Sequence, residues 1–135
     1  MSAGYSDTPL AKKLNLRDDQ RVWFHAMPES VQDEIGEYAL DLIFVADPAE
    51  GIDAAHIFVT TREELSSLLA TLRKQLATDG HIWVSWPKQA SKVPTDVSED
   101  TIREVALPIG LVDTKVCAVD ETWSGLKLVI RKDLR

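Results

Sequence analysis

Two polar segments near the carboxyl end hold the residue types in this chain best suited to binding an anion. The first is Trp86-Pro87-Lys88-Gln89-Ala90-Ser91-Lys92-Val93-Pro94-Thr95-Asp96, with two lysines, two hydroxyls and an aromatic ring. The second is Asp120-Glu121-Thr122-Trp123-Ser124-Gly125, with two acids, two hydroxyls and a further aromatic ring. Ammonium and hydroxyl donors can hold a phosphate or carboxylate, and tryptophan can wall a ligand or anchor a protein partner. The candidate ligand residues are therefore Trp86, Lys88, Ser91, Lys92, Thr95, Asp120, Glu121, Thr122, Trp123 and Ser124. The same side chains can instead tie the two loops to each other, with Lys88 and Lys92 reaching Asp120 and Glu121. Exposed ion pairs of that kind contribute under about 1 kcal/mol each.

The remaining reactive residues do not assemble into a catalytic set, and none is assigned. His25, His56 and His81 fall at different strand ends, His25 near the carboxyl edge and the others near amino ends. That spacing excludes a single three-histidine metal cluster and favours solvated or locally bonded rings. Cys117 sits inside an apolar run, where a thiol packs rather than reacts. No Gly-x-Ser-x-Gly elbow, Walker loop or His-Glu-x-x-His motif is present, so hydrolase, nucleotide triphosphatase and zinc-peptidase readings lack a motif.

Composition narrows the partner classes. A net charge of -7 argues against a general nucleic-acid binder, since phosphate repulsion would have to be overcome locally. Lys12-Lys13, Lys88 with Lys92, and Arg131-Lys132 are separate basic spots with no stripe joining them. One cysteine excludes an internal disulfide. No apolar run approaches the roughly 20 residues that span a bilayer, and Met1 to Asp7 shows no signal pattern. A cytoplasmic protein of one domain, residues 1–135, is the expectation, with 1–19 as an N-terminal arm.

Those loops need a frame, and the hydrophobic pattern supplies one. Thr8-Pro9 opens a short helix carrying Leu10 and Leu14, which ends near Asn15. Arg21 to Ala26 reads as a strand, and Pro28 opens a helix with Val31, Ile35 and Tyr38 or Ala39 as its apolar stripe. Leu40 to Ala46 and Ala54 to Thr60 are apolar runs without alternation, which predicts strands covered on both faces. The short link between them leaves parallel and hairpin pairing both open. Thr61 and Glu64 predict a capping box for a helix carrying Leu65, Leu68, Leu69, Leu72 and Leu76, stopped by Asp79-Gly80. His81 to Trp86 is the next strand. Asp96 or Ser98 then caps a helix with Ile102, Val105, Ala106 and Ile109 inward, loosened at its end by Pro108 and closed by Gly110. Leu111 to Val119 and Leu126 to Arg131 form a terminal hairpin. This alternation predicts an α/β three-layer sandwich, Rossmann-like, with a mostly parallel sheet ending in an antiparallel β-hairpin. A dimer through the hairpin edge or the N-terminal segment is compatible with it.

The run Asp79 to Trp86, the helix after it, Gly110 to Asp113 and the hairpin resemble the second half of a class I methyltransferase fold. Over nearly its full length the chain resembles a family of small uncharacterised bacterial proteins with a degenerate, methyltransferase-like version of that fold. The residues carrying this are Gly4-Tyr5-Ser6, Thr8 to Leu14, Trp86-Pro87-Lys88, Ala90-Ser91-Lys92 and Lys115 to Leu126. The resemblance implies a ligand edge beyond the carboxyl ends of the strands, where the two polar loops meet. It also implies S-adenosylmethionine as the usual cofactor, held by a glycine-rich turn after the first strand and an acid after the second. Asp47 stands about where that acid belongs, but Ala26-Met27-Pro28-Glu29-Ser30 contains no glycine. No cofactor is therefore expected. The function expected is a non-enzymatic binding or regulatory module using loops 86–96 and 120–125, with a small anion or metabolite, or a protein, as partner. The alternative is an S-adenosylmethionine-dependent methyltransferase with an atypical first loop.

Overall fold

The computed structural model describes residues 8–135, so Gly4-Tyr5-Ser6 and the reading of Met1 to Asp7 lie outside the described residues. The chain opens with a short helix α1 (Leu10–Lys13) and then strand β1 (Arg21–His25) and helix α2 (Glu29–Gly36). Next come strand β2 (Ile43–Phe44), strand β3 (Ile52–Phe58), helix α3 (Arg62–Gln75) and strand β4 (Leu76–Pro87). Helix α4 (Glu99–Ala106) leads into a hairpin of β5 (Leu111–Ala118) and β6 (Trp123–Ile130).

The six strands form one sheet in the order β2-β1-β3-β4-β6-β5. Neighbours β2, β1, β3 and β4 are parallel, and β6 alone is reversed between β4 and β5. β1 therefore lies between β2 and β3, which makes those two strands parallel. On one face, Leu65, Leu69 and Leu72 of α3 and Ile102 and Ala106 of α4 pack on Ile57, Ile82, Val84, Leu126 and Leu128. On the other, Leu10 and Ala11 of α1 and Val31 and Ile35 of α2 pack on Val22, Ala54, Phe58 and Trp83. The expected three layers, mostly parallel sheet and final antiparallel hairpin are all present.

Local chemistry explains the boundaries. Asn15 at φ 61° turns the chain out of α1, and Pro9 takes the cap position of that helix rather than its first turn. The Thr61 hydroxyl accepts from the Glu64 amide to start α3. The Glu64 carboxylate bonds the Thr60 amide and His25, so the reciprocal half of the expected box is displaced by one residue. Ser98 caps α4 in a reciprocal pair with Thr101, while Asp96 accepts the Arg62 amide at the start of α3. Pro108 sits in a single 3-10 turn after α4, which Gly110 ends at φ 85°.

Three expectations need correction. The Leu40 to Ala46 run forms only the two-residue strand β2 at the sheet edge, with Phe44 66% exposed rather than covered on both faces. Its first residues are tied elsewhere: the Asp41 amide donates to Asp18, and the Asp41 carbonyl accepts from Asp19. The apolar stripe of α2 stops at Ile35, because Ala39 turns left-handed at φ 54° and leaves Tyr38 exposed. Helix α3 ends at Gln75 rather than at Asp79-Gly80, since Leu76 pairs with Ile52 and is already extended. Gly80 lies within β4, where a Cβ would come 2.6 Å from the Asp53 carbonyl oxygen. Its role is close backbone approach rather than helix termination.

Candidate functional site

The carboxyl ends of β1, β3 and β4 converge with the β5–β6 turn at one edge, because reversed β6 begins there and Trp123 pairs with Pro87. Two hydrogen bonds join the polar loops. The Lys88 amide donates to the Thr122 carbonyl at 2.7 Å, and the Lys88 ammonium donates to the Asp120 carbonyl at 2.7 Å. The structure thus brings together Lys88, Asp120 and Thr122.

The expected ion pairs are replaced by backbone bonds. The Asp120 carboxylate accepts the Thr122 and Trp123 amides, both at 2.8 Å, which folds the turn and occupies that oxygen. Among the described residues, Asp120 and Glu121 form no ion pair with Lys88 or Lys92. Ser91 donates to the Lys88 carbonyl at 2.6 Å, and Thr95 to the Thr60 carbonyl at 2.7 Å. These hydroxyls order the loop and fasten it to the start of α3. Lys92 is exposed at φ 59° and Glu121 is exposed, so their charges face solvent. Ser124 lies inside β6 opposite Trp86.

Trp86 and Trp123 do not form one wall. Side chains alternate across a strand. Trp86 packs against the α3–α4 side, whereas Trp123 packs on the other side, edge-on to Phe58 with ring centres 5.0 Å apart. Trp83 is in the core, with its indole donating to the Leu14 carbonyl at 2.9 Å. Trp23 is half-buried and stacks on His25.

The rest of the edge is closed by its own residues. His25 Nε2 lies 3.2 Å from Glu64 Oε2, an imidazole held by a carboxylate and chemically able to move a proton. The Asp47 carboxylate accepts the Ala49 amide, and Glu50 accepts the Ala46 and Asp47 amides. After β1, Ala26 adopts φ 54°, Met27 is buried, and Gln32 donates to the Met27 carbonyl.

Two pairs escaped the sequence reading. Glu64 was assigned to a helix cap alone, which hid its contact with His25. His56 lies within β3, not at its amino end, and its Nε2 is 2.6 Å from Ser85 Oγ. His56 is 2% exposed and Ser85 0%, so this serine–histidine pair is a core hydrogen bond and not a nucleophile. Burial, with His81 nearby, lowers the His56 pKa to about 3. A lone polar residue inside each of two apolar runs was the available clue. Burial also raises the Cys117 pKa, in keeping with an inert thiol. Among the described residues, no group of three or more His, Cys, Asp or Glu is placed to hold a metal, and no helix is long and apolar enough to cross a membrane.

A family described as "Protein of unknown function (DUF3052)" matches residues 11–132. No curated protein sequence matches. Among solved structures, a SAM-dependent methyltransferase from Aquifex aeolicus is 16% identical with a TM-score of 0.62, covering 90% of this chain and 87% of that one. The magnesium protoporphyrin IX methyltransferase of Synechocystis PCC 6803, solved with bound SAM, is 14% identical with a TM-score of 0.57, covering 91% and 74%. The ribosomal protein L11 methylase of Lactobacillus delbrueckii subsp. bulgaricus is 13% identical with a TM-score of 0.56, covering 90% and 77%. At such identities the likeness establishes a methyltransferase-like Rossmann fold and nothing about activity.

Proposed function

This chain belongs to the family described as a protein of unknown function (DUF3052), and on that premise we propose a binding or regulatory module rather than an enzyme. Its ligand-facing surface is the joined pair of loops 86–96 and 120–125, with Lys92, Asp96 and Glu121 as exposed charges. A small anion, a metabolite or a protein segment is the partner class, met in the cytoplasm.

One observation carries this reading: the residues at the cofactor edge are committed to one another. S-adenosylmethionine would need an acid for its ribose after β2 and an open, close-approaching turn after β1. Asp47 instead accepts the Ala49 amide, Met27 is buried, and Pro28 has no N–H to offer. These residues do not fit that cofactor. The second reading, an S-adenosylmethionine-dependent methyltransferase with an atypical first loop, draws its support from the likeness of the whole sheet to methyltransferases.

Substitution separates the roles of these residues. Asp47→Ala is expected to lower unfolding free energy by about 1 kcal/mol, and Asp47→Asn, which keeps an acceptor, by less. Parent-like stability in Asp47→Ala would free that carboxylate for a ligand and remove the main support for the proposal. At the loops, Lys92→Ala with Glu121→Ala should shift stability by no more than about 0.5 kcal/mol. A larger loss in urea denaturation would make those charges structural ties and contradict their role as a binding surface.

A further inference from the structure

A second polar cleft lies toward the amino end of β4, on the sheet face that α1 and α2 cover only in part. His81 stands six residues before Pro87, roughly 20 Å along an extended strand from the edge described above. The segment after α1 crosses the sheet here, pinned by the bond from Trp83 to Leu14. Between that segment and the sheet is a cavity of about 450 Å³ lined by Lys12, Asn15, Arg17, His81 and Lys127, with Leu16 beneath. That size falls within the range of about 300–1,000 Å³ usual for small-molecule sites.

Its charge is opposite to that of the molecule. The whole chain carries -7, yet the cleft is ringed by the cations Lys12, Arg17 and Lys127. Lys12 and Arg17 flank α1 and its exit, and Lys127 arrives from β6 beside Lys115 of β5, its register partner. Among the described residues, none of Lys12, Arg17 and Lys127 forms an ion pair with an acid, and burial, then Lys115 and Arg17, lower the pKa of Lys127. Burial, then Lys127, lower the pKa of His81 to about 4, against a hydrogen bond with the Leu14 backbone, and Arg17 lowers it further.

The cleft walls also hold the two buried side-chain polar atoms that lack a partner among the described residues, Asn15 Oδ1 and His81 Nε2. His81 is 6% exposed. A neutral imidazole has one acceptor nitrogen, and Nε2 is the buried ring nitrogen of His81 without a partner. An amide oxygen is likewise an acceptor. Cations that lack an anion, beside acceptors that lack a donor, define a ligand with both groups.

We propose that this cleft is a binding site for a small phosphorylated or carboxylated molecule that also carries a hydroxyl. The anionic group meets Lys12, Arg17 and Lys127, and the hydroxyl donates to Asn15 and His81. The site is independent of the carboxyl-edge loops.

Titration calorimetry of the full chain with ribose 5-phosphate, inorganic phosphate and ribose tests it. Ribose 5-phosphate should saturate roughly tenfold more tightly than inorganic phosphate, and ribose should give no heat. Arg17→Gln and Lys127→Met should each weaken ribose 5-phosphate roughly tenfold or more, with thermal melting unchanged or raised as cation crowding is relieved. Asn15→Gly keeps the left-handed backbone, removes the acceptor, and should reduce the preference for ribose 5-phosphate over phosphate. Lys74→Ala, in the last turn of α3 on the opposite face of the sheet, should bind as the parent. The proposal is overturned if neither anion saturates by about 10 mM, or if the Arg17 and Lys127 variants bind as the parent. An unchanged preference in Asn15→Gly, or a loss in Lys74→Ala, also overturns it. So does a mixed-sequence single-stranded oligonucleotide that binds while ribose 5-phosphate fails to displace it.

Discussion

Acidification from pH 6.5 toward pH 4 is expected to strip this protein of stability well before its carboxylates are all protonated. His56 and His81 are neutral in the folded chain, with pKa values lowered from 6.5 to about 3 and about 4. Unfolding exposes both to water, where each takes up a proton below pH 6.5. Their contribution is therefore complete above that value and is lost as the pH falls toward their folded values. Each histidine removes up to about 1.4 kcal/mol per pH unit in that window. Against the 5–15 kcal/mol typical of a domain, two such groups are decisive. Urea midpoints measured across the window should fall steeply. His56→Gln, which keeps a hydrogen-bonding group near Ser85, should be less stable at neutral pH yet lose stability with a slope about half as steep. A flat parent profile, or equal slopes in parent and variant, would show that these rings are not held neutral.

Trp83→Ala is expected to cost about 3–5 kcal/mol, the largest effect of any single truncation named here. The ring is 1% exposed in the face of the sheet that meets α1 and α2. Its indole also fixes the Leu14 carbonyl, and with it the crossing of the segment over the cleft. Trp83→Phe separates the two roles: it keeps most of the apolar area and should cost about 1–3 kcal/mol through the lost donor. The Phe variant should also show faster hydrogen exchange at the Leu14 and Leu16 amides, which bond within this segment. Exchange unchanged at those amides would mean that the helix is anchored by packing alone.

Much of this fold was legible because periodicity dominates where an element has one covered face. Helix α3, with Leu65, Leu69 and Leu72 buried at helical spacing, is the plainest case. The edge strand was not legible, because hydrophobicity along Leu40 to Ala46 says nothing about whether a neighbour covers it. Asp79-Gly80 carries a turn signature, yet pairing of Leu76 with Ile52 decides where α3 ends. The meeting of the two polar loops followed from hairpin topology and could be anticipated. Their chemistry could not, since Asp120 bonds its own turn and strand alternation sends Trp86 and Trp123 to opposite faces. The cationic cleft was hidden for a similar reason. Lys127 is far in sequence from Lys12 and Arg17, and the three meet only when the segment after α1 crosses β4 and β6.

On the proposed reading, this methyltransferase-like sheet lacks a methyltransferase's cofactor site, with Asp47 and the loop after β1 engaged internally. Calorimetric titration with S-adenosylmethionine and with its demethylated product tests this most directly. No saturable heat is expected with either compound, in the parent or in Asp47→Asn. Saturable binding at micromolar affinity that Asp47→Ala abolishes would contradict the claim and establish the cofactor edge as intact.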